Sequence, residues 1–314
     1  MRHAPPQPTT QELAARHSLT EGQRTAITLK RQQIGATLLH PGSSLLVIMG
    51  PCALTDSPRQ ITHENSQLNR LATIHPGIVV VQRLCTWKPR TDPNAWHGME
   101  STPDEVERAY SIVIEQAGRN GNVGMEVGYS EHHARYHGAL ALAWIGARNN
   151  GDTNLLHTAA LNDPGLPIAI KNGLDGNLSS ALQRVKYIND TRDSSDAPAV
   201  LLYRGGTNAM TPKSWEEQCK EAVERTEGRV IIDFAHGSEM AHDPNGNGEK
   251  SIEGQLAAFN HGLELAAEGY IPAGIMLEAS DTQRVVDPNM PQLTGLMCAS
   301  QLNAVRQIRE LITI

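Results

Sequence analysis

Eight short runs of apolar and β-branched residues recur along the chain from about residue 44 onward, separated by longer stretches with the apolar period of a helix. This alternation is typical of repeated strand–helix units around a parallel sheet. Eight is also the number of strands that closes a barrel whose interior side chains can fill. The sequence therefore predicts an α/β fold, a (β/α)8 TIM barrel. The runs lie at residues 45–53, 78–85, 122–128, 142–148, 167–173, 199–206, 229–236 and 274–280.

The region before the first run has no strand character. Residues 10–36 show a helical apolar period, which predicts an N-terminal helical arm. We expect residues 1–43 to form this arm and residues 44–314 to form one catalytic barrel domain. Two stretches between the runs carry helix-start signals. Thr102 with Glu105 forms a capping box, and Thr211 precedes Pro212 at a first helical position, which predicts a helix after each threonine.

Composition excludes several classes of protein. No apolar run approaches the roughly 18 residues of a membrane span, and the first residues lack the pattern of a signal peptide. We therefore expect a cytoplasmic protein without a membrane partner. The net charge of −7 argues against a nucleic-acid partner, which requires a basic surface. The cysteines at 52, 85, 219 and 298 are too few and too irregularly spaced for a disulfide framework.

A reactive or charged side chain stands near the end of each run. In a (β/α)8 barrel the carboxyl ends of the strands meet at one mouth, where the chemistry of such enzymes takes place. A single charged residue after a strand is usually the first solvated loop position, because charged residues are mostly exposed. Eight of them in phase instead predict a functional site at the mouth. They are Cys52, Arg83, Glu126, Arg148, Lys171, Arg204, His236 and Glu278.

Cations dominate the predicted mouth. On an acidic chain, six cations directed at one place need anions, and guanidinium groups bind phosphate and carboxylate well. We therefore expect a small substrate that carries several negative charges. The alternative is that some of the cations form structural salt bridges with Glu126, Asp233 and Glu278. The six cations are Arg83, Lys88, Arg90, Arg148, Lys171 and Arg204.

Three donors of metal-ligand type follow the first, seventh and eighth runs. They are Cys52, His236 and Glu278, on strands that become neighbours once the barrel closes. A lone cysteine is usually a small buried hydrophobe, and a lone histidine is more often a core or loop residue. Together, however, thiolate, imidazole and carboxylate suit Zn, Fe, Mn or Co. Their shared location predicts a metal site into which the Gly50-Pro51 turn directs Cys52.

Seven motifs, in order along nearly the whole chain, resemble those of a known family. They are "GPCALTD", "R-x4-KPRT" from Arg83 to Thr91, "WIGAR" at 144–148, "KNGLDG" at 171–176, "RGG" at 204–206, "DFAH" at 233–236 and "MLEAS" at 276–280. The chain resembles the class I 3-deoxy-D-arabino-heptulosonate 7-phosphate (DAHP) synthases. The resemblance implies a metal-dependent barrel enzyme that condenses phosphoenolpyruvate with erythrose 4-phosphate at the start of the shikimate pathway of aromatic amino acid biosynthesis.

The resemblance also implies residue roles. Phosphoenolpyruvate would be held by Arg83, Arg148, Lys171 and Arg204, and the aldose phosphate would be contacted by Lys88, Pro89, Arg90 and Thr91. A divalent metal, with Mn as the first candidate and Co, Fe or Zn as alternatives, would be bound by Cys52, His236 and Glu278. The family's fourth ligand is an aspartate, but "QLTGLMCAS" at 292–300 has Leu296 at that place, with Asp281 or Asp287 as substitutes. Other departures lie on the aldehyde side, where His97 replaces a usual lysine.

The implied mechanism is aldol-like. The enol C3 attacks an aldehyde that the metal polarises, water adds at C2, and phosphate leaves. Lys171 is the expected proton donor, Glu126 the group that orients water, and His236 acts through the metal. Two other interpretations stay open: a specialised-metabolism relative that uses another aldehyde or reaction, and a non-catalytic barrel that binds anions.

The resemblance carries two further expectations. Only 33 positions separate Lys171 from Arg204, which is too few for the extra hairpin of feedback-regulated relatives. We therefore predict that phenylalanine, tyrosine and tryptophan do not inhibit. Because relatives assemble through the arm, the resemblance also implies a homo-oligomer.

Overall fold

The computed structural model describes residues 7–51, 54, 58–87, 98–173, 175–192, 197–206, 214–236 and 252–278. Within these ranges, eight parallel strands follow one another around a closed barrel, and the last strand pairs with the first. The predicted (β/α)8 barrel is confirmed, because each apolar run contains one strand. The strands are β1 (Leu45–Gly50), β2 (Ile78–Arg83), β3 (Val123–Val127), β4 (Leu142–Ile145), β5 (Ile168–Lys171), β6 (Ala199–Tyr203), β7 (Val230–Asp233) and β8 (Gly274–Glu278).

Helices precede and alternate with these strands. No helix in the described ranges has both the length and the apolar character needed to cross a membrane. The helices are α1 (Thr10–Arg16), α2 (Glu21–Leu39), α3 (Pro58–Ile74), α4 (Pro103–Asn120), α5 (Ser130–Tyr136), α6 (Thr153–Leu161), α7 (Leu178–Thr191), α8 (Trp215–Thr226) and α9 (Ile252–Ala267).

Two helix starts test the capping signals. Thr102 caps α4 as predicted, and its side chain accepts a hydrogen bond from the Glu105 backbone N–H. The second predicted helix is present as α8, which begins at Trp215 with Ser214 as its N-cap, while Thr211 and Pro212 lie outside the described ranges. Ser214 forms a complete capping box with Glu217, whose carboxylate accepts from the Ser214 N–H at 2.7 Å. This reciprocal pair satisfies two backbone donors at the helix start.

The region predicted as a helical arm contains two helices in the described residues, α1 and α2. Each begins with its own capping box, Thr9 with Glu12 and Thr20 with Gln23. The last turns of α2 pack inward, because Ile34 and Leu38 are fully buried in the same cluster as the interior side chains of the strands. Since α2 leads directly into β1, it lies at the N-terminal end of the barrel.

The strand alternation decides which side chains fill the barrel. On β2, Val79 and Val81 belong to the interior cluster, whereas Ile78 and Val80 pack outward with the helices. Successive side chains of a strand point to opposite faces, so Arg83 follows Val81 into the interior. The same alternation holds on the other strands. It places a layer of charged side chains at the carboxyl end of the barrel, opposite the arm.

Candidate active site

The charged layer is buried at the top of the barrel interior. Its six charged side chains are between 0% and 7% exposed, which is unusual for charged groups unless they are paired. Three are cations and three are carboxylates, so the layer is close to electrically balanced before any substrate binds. The six are Arg83, Glu126, Lys171, Arg204, Asp233 and Glu278.

A chain of ionic contacts links five groups across the mouth. Arg83 Nη1 lies 2.6 Å from Glu278 Oε1, and His236 Nε2 lies 3.3 Å from the same oxygen. On the other side of the imidazole, His236 Nδ1 lies 2.8 Å from Asp233 Oδ2. Lys171 Nζ completes the chain at 2.5 Å from Asp233 Oδ2. The structure therefore joins β2, β8, β7 and β5 through Arg83, Glu278, His236, Asp233 and Lys171.

The salt-bridge alternative left open by the sequence describes two of the cations. Arg83 pairs with Glu278, and Lys171 pairs with Asp233. Asp233 is the residue whose role sequence reasoning missed, because it was considered only as a counter-ion. In the structure it contacts both a predicted proton donor and a predicted metal ligand. The signal that would have found it is the strand alternation, which places it in phase with the interior residue Ile231.

Burial and neighbouring charges set the protonation of the Lys171–Asp233 pair. Burial lowers the pKa of Lys171, Asp233 and Glu126 raise it, and the nearby Arg204 and Arg83 lower it, with a net lowering. Burial on its own would raise the pKa of Asp233, but His236 and Lys171 hold it well below its usual range. The carboxylate therefore stays ionised, whereas the ammonium gives up its proton more readily than an exposed lysine would.

Glu126 is fixed in place beside Lys171. The indole Nε1 of Trp144 donates a hydrogen bond to Glu126 Oε2 at 3.3 Å. Gly146 leaves room for the other oxygen, because a Cβ at this position would lie 2.3 Å from Glu126 Oε1. The "WIGAR" motif thus holds a carboxylate on the neighbouring strand with both its indole and its glycine.

The "KNG" and "RGG" motifs hold each other. The side chain of Asn172 accepts from the Arg204 N–H at 2.8 Å and donates to the Gly205 carbonyl at 2.8 Å. The backbones of Gly176 and Gly206 pack closely, since a Cβ on Gly206 would lie 2.5 Å from the Gly176 Cα. Asn172 and the two glycines therefore fix the position of Arg204, a supporting function that the sequence alone did not indicate.

The structure does not bring every predicted site residue to this layer. Arg148 lies in the turn after β4 and is exposed, so its side chain is outside the buried set. Several predicted residues lie outside the described ranges: Cys52, Lys88, Pro89, Arg90, Thr91, His97, Asp281, Asp287 and Leu296.

The described donors fit a metal ion only in part. Two ligands bound to one ion at about 2.1 Å lie about 3.0 to 3.4 Å apart, and His236 Nε2 lies 3.3 Å from Glu278 Oε1. Because Asp233 contacts Nδ1 of His236, Nε2 is left to bind the metal ion. A carboxylate on the other ring nitrogen is the usual support of a metal-binding histidine. Within the described ranges, however, no three histidine, cysteine or acidic side chains are grouped so as to hold an ion. The pair of donors is compatible with a metal centre that a third ligand completes.

The fold and this layer define a (β/α)8-barrel protein whose mouth holds buried cations beside donors of metal-ligand type. The profile of the DAHP synthetase I family matches residues 25–292. The chain belongs to this family.

Individual relatives are distant but cover most of the chain. A phospho-2-dehydro-3-deoxyheptonate aldolase of Corynebacterium glutamicum is 25% identical over 305 residues, which is 88% of this chain and 79% of that protein. The Trp-sensitive enzyme of Escherichia coli is 26% identical over 312 residues, 88% of this chain and 84% of its own length. The solved structure of a phospho-2-dehydro-3-deoxyheptonate aldolase from Francisella tularensis has a TM-score of 0.78 at 16% identity. It covers 100% of this chain and 98% of that one, in agreement with the barrel fold.

Proposed function

We propose that this protein is an enzyme that forms a carbon–carbon bond, condensing phosphoenolpyruvate with erythrose 4-phosphate to DAHP and releasing phosphate. The observation that carries the proposal is the buried layer in which Arg83, Lys171 and Arg204 lie beside the His236–Glu278 donor pair. Membership of the DAHP synthetase I family supports the same reaction.

The buried cations explain how the nucleophilic substrate, phosphoenolpyruvate, would be bound. Phosphoenolpyruvate carries a phosphate and a carboxylate, and Arg83 and Arg204 present guanidinium groups that match both. Their fixed, water-poor surroundings strengthen the attraction compared with bulk water. Glu278 pairs with Arg83 in the structure. When the substrate binds, the carboxylate of phosphoenolpyruvate would replace Glu278 as the partner of Arg83. Arg148, on the exposed turn after β4, would reach the substrate from the solvent side.

Lys171 and Glu126 account for the proton transfers. When C3 of phosphoenolpyruvate attacks the aldehyde carbon, the aldehyde oxygen needs a proton, and Lys171 Nζ can supply it because burial has lowered its pKa. Glu126 then orients the water that adds at C2 and accepts the proton that the water loses, since Trp144 fixes its carboxylate. Phosphate leaves as the C2 carbonyl forms. Asp233 keeps the ammonium of Lys171 at this place between turnovers.

A divalent ion would be held by His236 and Glu278 with Cys52 as third ligand, and it would supply a Lewis acid for the aldehyde oxygen. Manganese is the first candidate, with cobalt, iron or zinc as alternatives. We place Lys88, Pro89, Arg90 and Thr91 at the aldose phosphate. From the resemblance, we also propose a cytoplasmic homo-oligomer.

The test is DAHP formation and phosphate release from the two substrates with Mn²⁺, repeated after chelation and after metal is restored. Lys171→Met should abolish turnover, whereas Lys186→Met, at an exposed lysine of α7, serves as the matched control. Turnover only with a different aldehyde would replace this proposal with the specialised-metabolism interpretation. Binding of phosphoenolpyruvate without turnover of any aldehyde would favour the anion-binding barrel.

A further inference from the structure

Strand β4 ends at the mouth before its two neighbours do. Ile145, its last residue, pairs with Val127 of β3 on one side and with Ile170 of β5 on the other. The chain then leaves the sheet in a turn over residues 147–151. Gly128 and Lys171 are therefore the first residues beyond the pairing with β4. Both are buried, so their backbone carbonyls need hydrogen-bond partners that β4 no longer runs far enough to supply.

Two consecutive asparagines of the turn supply these partners. Asn149 Nδ2 donates to the Gly128 carbonyl at 2.9 Å, and Asn150 Nδ2 donates to the Lys171 carbonyl at 2.7 Å. The side chain of Asn149 thus reaches β3, whereas that of Asn150 reaches β5. Asn150 is itself only 6% exposed, which keeps water from competing for its bond. The turn therefore bridges the strand ends on both of its sides.

The backbone of the turn is also held. The Asn149 N–H donates to the Gly146 carbonyl at 3.0 Å, and the Asp152 N–H donates to the Asn149 carbonyl at 3.0 Å. Asp152 then caps the start of α6 with its side chain. Arg148 lies inside this bonded turn, directly before Asn149. Its backbone is thus fixed, while its exposed side chain is free to extend over the mouth.

The residues that the two asparagines hold are those that the proposed chemistry uses. Asn150 bonds to the backbone of Lys171 itself. Asn149 bonds to the end of β3, two positions after Glu126. Arg148, the exposed cation assigned to phosphoenolpyruvate, belongs to the same turn. One short segment therefore connects the backbones of three groups that would act on one substrate.

We propose that Asn150, together with Asn149, is a positioning residue for phosphoenolpyruvate, acting through the turn that carries Arg148 and through the backbone of Lys171. This inference rests on the proposed function for its substrate. A ligand bound by groups from neighbouring strands needs their spacing fixed in advance, and misplacement by about 1 Å costs up to about 100-fold in rate. A cap that only completed the sheet would stabilise the fold without affecting binding of the substrate.

The barrel offers a matched control at its opposite end. Asn189 of α7 donates to the Ala199 carbonyl at 2.9 Å and accepts from the Ala199 N–H at 2.7 Å. Ala199 is the first residue of β6, so this amide bonds to a strand backbone at the end of the barrel away from the mouth. Asn189→Ala and Asn150→Ala therefore remove the same kind of contact, and both should lower the melting temperature.

The first test is binding without reaction. Titration calorimetry gives the dissociation constant of phosphoenolpyruvate with Mn²⁺ present and the aldehyde left out. In Asn150→Ala the Lys171 carbonyl loses its donor and the turn loses its tie to β5, so we expect the Kd to rise about tenfold. Asn189→Ala should keep the wild-type Kd although it is destabilised. A wild-type Kd in Asn150→Ala, or the same increase in both variants, would overturn the proposal.

The second test divides the effect between the substrates. For Asn150→Ala we expect the KM for phosphoenolpyruvate to rise about tenfold and kcat to fall, while the KM for erythrose 4-phosphate stays within about twofold of wild type. A general loosening of the barrel would change both constants alike. Equal increases in the two KM values would therefore contradict a positioning role.

The outcomes separate this inference from the proposed function. A wild type that binds phosphoenolpyruvate but forms no DAHP would refute the proposed function, while the dissociation constants would still decide the role of Asn150. A wild type that does not bind phosphoenolpyruvate would refute both. If Asn150→Ala does not fold, Asn149→Ala removes only the tie to Gly128 and should raise the Kd by about threefold. A wild-type Kd in that variant would count against the proposal.

Discussion

The effects on stability of removing the two members of the Lys171–Asp233 pair should not add. In Asp233→Asn, the buried Lys171 loses the carboxylate 2.5 Å from its ammonium and stays beside Arg204 and Arg83, with Glu126 as its remaining counter-charge. Breaking a buried ion pair in this way typically costs about 3 to 5 kcal/mol. Replacing both partners, as in Lys171→Met with Asp233→Asn, leaves no uncompensated charge. The double variant should therefore be less destabilised than the sum of the single variants, by about 2 to 3 kcal/mol.

The protonation of Lys171 sets an upper limit on this cost. A lysine whose counter-ion is lost can discharge its proton, which at pH 7 costs about 4.6 kcal/mol for an unfolded-state pKa of about 10.4. At pH 9 the same discharge costs about 2 kcal/mol. The penalty of Asp233→Asn should therefore shrink as the pH rises. With an unfolding entropy near 0.7 kcal/mol per kelvin for 314 residues, about 3 to 5 kcal/mol lowers the melting temperature by about 5 to 8 °C.

The assay is urea unfolding of the metal-free wild type, the two single variants and the double variant at pH 7 and pH 9. Fluorescence and circular dichroism should give coincident transitions, which validates a comparison of free energies of unfolding. Additive effects of the two substitutions would refute the buried pair as a coupled unit. A penalty for Asp233→Asn that stays constant between pH 7 and pH 9 would refute the reasoning about Lys171.

The remaining predictions concern pH, metal, geometry and regulation. His132, Thr86 and Arg135 lower the pKa of the buried Glu100 to about 2 in the folded protein. The ionised carboxylate therefore contributes on the order of 3 kcal/mol to the free energy of unfolding above about pH 4.5, and this contribution is lost as the pH falls toward 2. Glu100→Gln should flatten that part of a stability–pH curve. Asp233→Asn should weaken metal binding about 10- to 100-fold, measured by competition with a chromophoric chelator, and unchanged affinity would argue against its support of His236. Gly146→Ala should displace Glu126 and lower kcat about 10- to 100-fold, whereas Gly151→Ala, with nothing within 4 Å of its Cβ, should not. Phenylalanine, tyrosine or tryptophan at millimolar concentration should leave the rate unchanged, since α7 is the one helix or strand that the described residues contain between β5 and β6; inhibition by any of them would contradict this.

The barrel was predictable because its signal is local and repeated. Each strand is a short apolar run, and buried parallel strands need no alternating pattern to be recognised. Helix starts were harder to predict than the helices themselves. Thr102 was identified as the cap of α4, whereas the N-cap of α8 is Ser214, whose reciprocal box with Glu217 the sequence interpretation did not include.

The site was predictable in part. Strand ends pointed to Arg83, Lys171 and Glu278 because the carboxyl ends of barrel strands converge. Their pairing was not predictable, since it depends on which side chains face each other across the barrel. The contacts of the buried Glu100 gave no sequence signal, because its partners Thr86 and Tyr136 lie 14 and 36 positions away in the chain.

The docking of the N-terminal arm constrains the order in which the chain can fold. Arg31 of α2 donates to the carbonyls of Leu140 and His137, 109 and 106 positions later, and pairs with Asp163 at 2.9 Å. During synthesis the arm is made first, yet the two carbonyls follow the third strand and Asp163 follows the fourth. The arm must therefore wait, with Ile34 and Leu38 uncovered, until the ribosome has delivered the middle of the barrel. Such long sequence separations slow folding, and apolar side chains that stay uncovered in the meantime favour aggregation.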